Sequence, residues 1–188
     1  MDILVAGGAL LFFAPLLALV AILIKLESPG PVLFRQSRGG LNGQAFTIFK
    51  FRSMRCQENG SKVVQAQRDD DRITTLGKII RKTSIDELPQ LINVLRGDMS
   101  IVGPRPHALA HDEQYGAQIA NYHLRFRARP GLTGLAQIKG LRGGTSAIEA
   151  MAARVDADNE YIERWSFGED ARILLMTVPH LLMAENAY

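Results

Sequence analysis

The stretch Thr83–Leu91, TSIDELPQL, sets two adjacent carboxylates, Asp86 and Glu87, just after the cations Lys78, Arg81 and Lys82. Two readings compete for it. Ser84-x-x-Glu87 has the spacing of a capping box, which would make the pair an ordinary helix start. Pro89 makes that register awkward, because it would fall where the backbone should already donate a helical hydrogen bond. Starting the helix at Asp86 puts Pro89 at the third helical position. The Asp86 carboxylate then stands at the positive end of a helix, a place that also suits a phosphate. Local sequence alone favours the cap over catalysis.

Cations recur elsewhere in the chain. Lys50, Arg52 and Arg55 follow a β-prone run, Arg105 sits inside GPRP, and Arg125, Arg127 and Arg129 crowd before a Pro-Gly. Most such residues end on a solvated surface. Arg105 and Arg129, however, are held in rigid Pro/Gly turns, which lowers the entropy cost of aiming a guanidinium at an oxyanion. Cations converging on a carboxylate pair would suit a diphosphate with its divalent metal, and Mg²⁺ asks only one or two carboxylates of the protein. Two other motifs carry less. HALAH spaces His107 and His111 as metal ligands often are, but lacks the Glu of a zincin and a third ligand. GLRGG (Gly140–Gly144) has no Lys-Ser/Thr after it, so it reads as a flexible connection rather than a P-loop.

The elements that would position these groups begin with an uncharged run, Ile3–Ile24. As a helix it would be roughly 33 Å long, near the hydrocarbon thickness of a bilayer. Asp2 before it and Lys25, Glu27 and SPGP after it argue against a cleavable signal peptide. Lys25, Arg35 and Arg38 place the remainder on the cytoplasmic side. Pro15 at its middle predicts a kink. A plain span and a re-entrant helix both fit, and the physics of the run favours the span.

Beyond it, PVLFRQ and AFTIFKF read as strands joined through SRGGLNG, a hairpin. Glu58–Asp71 reads as a polar loop. TTLGKIIRKT and ELPQLINVLR read as helices, the second stopped by Gly97. GDMSIVGPRPH reads as a loop, Ala108–Phe126 as one helix, and RARPGLTGLAQIKG as turns with a short strand. Ser146–Trp165 and Glu169–Met183 complete a helical carboxyl-terminal part, the latter interrupted by Pro179.

At 188 residues the chain is long enough for one domain with a core and short for two. The predicted fold class is α/β, mainly helical with a small β-hairpin: a single domain over 27–188 behind a membrane helix over 1–26. Its 22 Lys and Arg against 19 Asp and Glu suit an anionic partner without choosing one. No nucleic-acid motif or aromatic-basic interleaving is present. The single cysteine, Cys56, excludes an intrachain disulfide.

SPGPVLFRQSRGG, FTIFKFRSM, LGKIIRKTSIDELPQLINVLRGDMSIVGPRP, RARPGLTGLAQIKG and DNEYIERWSF occur in this order along almost the whole length. In these five blocks the chain resembles the bacterial sugar transferases, monotopic polyprenyl-phosphate phosphoglycosyl transferases. GPRPHALAHDEQY is most similar to their undecaprenyl-phosphate glucose phosphotransferases. The resemblance implies transfer of a sugar-1-phosphate from a UDP-sugar donor to undecaprenyl phosphate, giving UMP, at the cytoplasmic face of the bacterial inner membrane. Glucose is the implied sugar, with galactose or an N-acetylated sugar behind it. Asp86 would be the nucleophile, Glu87 the second member of the dyad, and Mg²⁺ would lie on Asp86 and the diphosphate. Lys50, Arg81, Arg105 and Arg129 would hold substrate phosphate.

The resemblance also implies that the apolar helix, over 1–26, is kinked and re-entrant, against the preference for a span, and in contact with membrane lipid. Two departures stand out: Ala14 precedes Pro15 where relatives carry Ser, and Leu135 stands where many have an interfacial Trp. The extra transmembrane helices and amino-terminal domain of larger glucose-type members are absent, so the chain reads as a catalytic core. A homo-oligomer is left open. The rival function is a non-catalytic module that binds anionic lipid.

Overall fold

The computed structural model describes residues 1–55, 70–141 and 147–182. Most of the predicted loop Glu58–Asp71, together with Cys56 and Gly143–Gly144 of GLRGG, lies outside the described residues. The chain is mostly helical with a small antiparallel hairpin. Helix α1 covers Asp2–Glu27 and runs without interruption through Pro15. Strands β1 (Leu33–Gly39) and β2 (Ala45–Phe51) pair antiparallel in the register Leu33 to Phe51 and Gly39 to Ala45. Helices α2 (Thr75–Lys82) and α3 (Gln90–Arg96) follow, and Gly97 closes α3 in the left-handed region at φ 81°. Only glycine takes that conformation without strain.

A second, parallel pair joins β3 (Ser100–Val102) to β4 (Gly131–Thr133). Here the GDMSIVGPRPH segment, read as a loop, contributes a strand. The pair packs so closely that a Cβ on Gly131 would run into the Gly103 amide nitrogen and the Thr133 carbonyl oxygen. Gly131→Ala is therefore expected to destabilise the protein by roughly 3 kcal/mol, read as a lowered unfolding temperature in detergent. The predicted helix Ala108–Phe126 is broken in two. Helix α4 stops after Leu109–Gly116, and Tyr122–Arg127 forms a 3-10 turn. Gly116 and Asn121 flank the break, both poor helix formers. Helices α5 (Leu135–Ile138), α6 (Ile148–Glu163) and α7 (Phe167–Leu182) complete the fold, and α7 continues through Pro179.

Helix α1 lies along these elements rather than projecting away. Ala6, Ala9 and Leu10 pack with Ile48, Leu91, Val94 and Ile101, while Val20 and Ile24 pack with Phe51 and Ile80. Both ends are tied. Asp2 Oδ1 accepts from the Ile101 amide at 3.5 Å, and Glu27 Oε1 accepts from the Leu76 amide at 2.8 Å. Buried Arg52 donates to the carbonyls of Ile24, Ser28 and Pro29, satisfying a helix end that would otherwise lack partners. The opposite face stays bare, with Leu4, Leu11 and Phe12 each at least 77% exposed. Leu135 is buried in the core, so in this chain the position is no interfacial anchor.

Candidate active site

The carboxylate pair sits where α2 gives way to α3. Thr74 caps α2 by accepting from the Gly77 amide at 2.9 Å. At the far end Ser84 takes a left-handed conformation, φ 57°, which is uncommon for a residue with a side chain. A 3-10 turn over Ile85–Glu87 follows, closed by Glu87 N to Ser84 O at 3.1 Å and Leu88 N to Ile85 O at 3.2 Å. The capping box is not formed: the Ser84 side chain makes no cap bond. Nor does a helix begin at Asp86. Pro89, lacking an N–H, stands at the N-cap of α3, where no donor is needed. Asp86 thus lies outside the seven-residue α3, and the positive charge at the site comes from side chains.

Asp86 and Glu87 are both buried, at 8% and 7% exposure, but their surroundings differ. Glu87 is held by a two-pronged guanidinium, Arg105 Nη2 to Oε1 at 2.6 Å and Nη1 to Oε2 at 3.2 Å. Lys50 Nζ adds a third donor at 3.0 Å. Among the described residues Asp86 has no hydrogen bond or ion pair. Its nearest charges are Glu87, Lys50, Arg81 and Arg105. Burial first, then Glu87, pushes its carboxyl up to about 6. Arg81 comes from the last turn of α2, and its buried Nε lacks a partner among the described residues. Arg38 of β1, not singled out from sequence, belongs to the same field: its charge acts on Lys50 and Arg105, and Glu87 acts on it. Four cations therefore face two carboxylates, an excess that suits a diphosphate.

Lys50, Arg105 and Arg38 are fixed by the fold. Lys50 rides on β2, whose Phe49 amide donates to buried Asn93 Oδ1 of α3 at 3.0 Å, while Asn93 Nδ2 donates to Thr47 O at 2.7 Å. Arg105 is carried on the loop between β3 and α4. Gly103 N donates to Thr133 O at 2.9 Å and Gly131 N to Pro104 O at 2.8 Å. Arg38 Nη1 donates to Pro106 O at 3.1 Å, and Arg125 Nη2 donates to the Arg105 carbonyl itself. Arg125 is in turn paired with Asp158 of α6 at 2.8 Å, both almost fully buried. Arg125 thus holds the backbone of Arg105 from the buried side.

His107 serves the same scaffold. It is buried, with Nδ1 2.7 Å from Tyr122 Oη, which donates to Asp112 Oδ1 at 2.7 Å. Burial, then Arg125, holds the imidazole well below its ordinary pKa, so it is neutral here. No group of three metal-ligating side chains occurs among the described residues, and His107 and His111 form no zinc site there. The structure thus brings Lys50, Arg81 and Arg105 to the dyad. Arg129 lies elsewhere, exposed beside Asp2 and Trp165 in a separate cavity.

Because Glu87 binds the two cations on either side of it, Glu87→Gln should release Lys50 and Arg105 from their fixed positions. For the sugar-phosphate transfer that the sequence resemblance implies, the expected result is a fall in kcat of about ten- to a hundredfold with the protein still folded, read from steady-state UMP release and thermal unfolding.

Known proteins are similar in sequence to this chain along its whole length. The protein is 60% identical over 188 residues to the UDP-glucose:undecaprenyl-phosphate glucose-1-phosphate transferase of Caulobacter vibrioides, of which it spans 70%. It is 52% identical to the protein of the same name from Escherichia coli, spanning 40% of that longer chain. A UDP-N-acetylgalactosamine-undecaprenyl-phosphate N-acetylgalactosaminephosphotransferase of Aeromonas hydrophila is 43% identical, with 44% of its length covered. Residues 1–184 match the bacterial sugar transferase family, and the chain belongs to that family.

Proposed function

We propose that the protein transfers glucose-1-phosphate from UDP-glucose to undecaprenyl phosphate, releasing UMP, as an early membrane step of exopolysaccharide synthesis. One observation carries the reading. Of two adjacent buried carboxylates, Glu87 is held by Lys50 and Arg105, while Asp86 has no hydrogen bond among the described residues and stands in the middle of a cationic field. A carboxylate free of donors keeps its lone pairs for a phosphorus atom.

In the first step an Asp86 oxygen attacks the β-phosphorus of the donor. The bond from that phosphorus to the bridging oxygen breaks, and UMP leaves with the bridging oxygen. In the second, an oxygen of the lipid phosphate attacks the same phosphorus and the Asp86 oxygen leaves. The products are the lipid diphosphate sugar and a free carboxylate. Approach of one anion to another is opposed electrostatically. Arg81, Arg105 and Lys50 lower that opposition and stabilise charge on the transferring phosphoryl group. Glu87 orients two of these cations. Asp86, which has no hydrogen bond among the described residues, is also the carboxylate that would hold Mg²⁺ together with oxygens of a bound diphosphate, and the ion would neutralise diphosphate charge.

The same geometry supports a re-entrant α1. Its two ends, separated by 26 residues of helix, are both hydrogen-bonded to the part of the chain that carries Asp86. A straight span would place one end and its partners on the far side of the bilayer. With both ends at the cytoplasmic leaflet, the bare face of Leu4, Leu11 and Phe12 meets lipid, and the dyad sits near the headgroups.

The test is UMP release from UDP-glucose with undecaprenyl phosphate and Mg²⁺, run beside UDP-galactose and the UDP-N-acetylhexosamines. Fastest release from UDP-glucose is expected. Preference for an N-acetylated donor would move the chain toward the chemistry of the Aeromonas relative, and no release from any donor would overturn the reading.

A further inference from the structure

At the amino-terminal end of α1, with none of the dyad or its cations on its lining, is a cavity of about 350 Å³. Asp2, Ser100, Arg127, Arg129, Tyr161 and Trp165 line it. Among the described residues neither arginine has an ion-pair partner. Its aromatic wall is fixed, because Tyr161 Oη and Trp165 Nε1 both donate to buried Asp170, at 2.7 and 3.2 Å. Those two bonds occupy the Asp170 carboxylate. The remaining acid on the lining is Asp2, which accepts from the Ile101 amide. On the lining itself two exposed guanidinium groups stand beside one carboxylate, Asp2, while Asp170 lies behind the aromatic wall, so the open side of the cavity offers an anion two cationic donors.

The surroundings indicate where that anion resides. Ile3 and Leu4, next to Asp2 on α1, are 67% and 82% exposed, and Trp165 and Phe167 are also largely bare. Apolar helix surface, an exposed tryptophan tethered by its N–H, and paired arginines together mark the level of a membrane interface. We propose that this cavity binds the phosphodiester headgroup of an anionic phospholipid, gripped between Arg127 and Arg129 against Trp165. The inference rests on α1 lying in the membrane with both ends on one leaflet. It makes the amino-terminal end of α1 a lipid-specific mooring, separate from the dyad.

Trp165 is the only tryptophan in the chain, so its emission reports on the cavity alone. The full chain in neutral detergent is titrated with dioctanoyl phosphatidylglycerol, dioctanoyl phosphatidylcholine, inorganic phosphate and farnesyl phosphate. Phosphatidylglycerol is expected to give a saturable change that the other three do not match at equal concentration. Arg127→Gln with Arg129→Gln should raise its midpoint about tenfold or more, while the double lysine variant keeps it within a fewfold. An unchanged midpoint in the glutamine variant, given unaltered thermal unfolding, would overturn the proposal. So would saturation by inorganic phosphate, which would make it a soluble-anion site, or tighter binding of farnesyl phosphate, which would assign it to the acceptor. Sugar transfer is not read in this titration, so a negative result leaves the transferase reading standing.

Discussion

Asp86→Asn is expected to leave a folded protein that releases no UMP, with turnover reduced by at least roughly a thousandfold in the presence of donor, lipid acceptor and Mg²⁺. An amide keeps the shape of the carboxylate and loses its nucleophilic oxygen. The same substitution should make the protein harder to unfold. Burial, then the neighbouring Glu87, raises the Asp86 carboxyl from 3.8 to about 6, so ionising it inside the fold costs free energy that the unfolded chain does not bear. Because the folded value is the higher one, the penalty is absent below pH 4, grows between pH 4 and 6, and is complete above about pH 6. The asparagine variant should therefore match the wild type at pH 4 and exceed it at pH 8, by an amount on the order of 2–3 kcal/mol. Thermal unfolding in detergent with a chelator present reads this directly. A stability gain with activity intact would remove Asp86 from the chemistry.

Arg125→Leu should be the most damaging change outside the dyad. It takes away the ion-pair partner of Asp158, 2% exposed, leaving that carboxylate the Arg105 amide and the more distant Arg154 charge, and removes the donor to the Arg105 carbonyl. Breaking one side of a buried ion pair typically costs about 3–5 kcal/mol, a fall in unfolding temperature of roughly 10 °C for a chain of this size. Replacing both partners, Arg125→Leu with Asp158→Leu, should restore most of that stability, since the carboxylate that lost its partner is gone. It should not restore kcat, because the loop carrying Arg105 still lacks its tether. Recovery of stability and rate together would show that Arg125 has no positioning role.

What was legible in the sequence follows the range over which each signal acts. The hairpin was readable because β-prone runs flank a Gly-rich turn, and α2 and α3 because their apolar faces and Gly97 are local. Arg105 and Lys50 were recognisable as site cations, and the family blocks singled out Asp86. Of the parallel pair β3–β4, the short strand in RARPGLTGLAQIKG is legible, but β3 and its pairing are not, since three residues joined to a partner some thirty positions away leave no pattern that periodicity detects. Helix α4 and the 3-10 turn after it merged into one predicted helix for a related reason: Gly116 and Asn121 weaken a helix without ending it outright. At the dyad, the left-handed Ser84 decided the geometry, and serine gives no advance sign of that conformation. Arg129 looked equivalent to Arg105 because both sit in Pro/Gly turns. Only the tertiary fold sends one to Glu87 and the other to the end of α1. The Arg125–Asp158 pair spans 33 residues and has no local signature.

The covalent step is tested most directly by intact-protein and peptide mass spectrometry after mixing the protein with UDP-glucose and Mg²⁺ in the absence of any lipid acceptor. One hexose-phosphate should appear on the peptide that contains Asp86, together with a stoichiometric burst of UMP. The modification should vanish when undecaprenyl phosphate is added. UMP formation that requires the lipid and leaves the protein unmodified, or a phospho-sugar found on any residue other than Asp86, would contradict the mechanism.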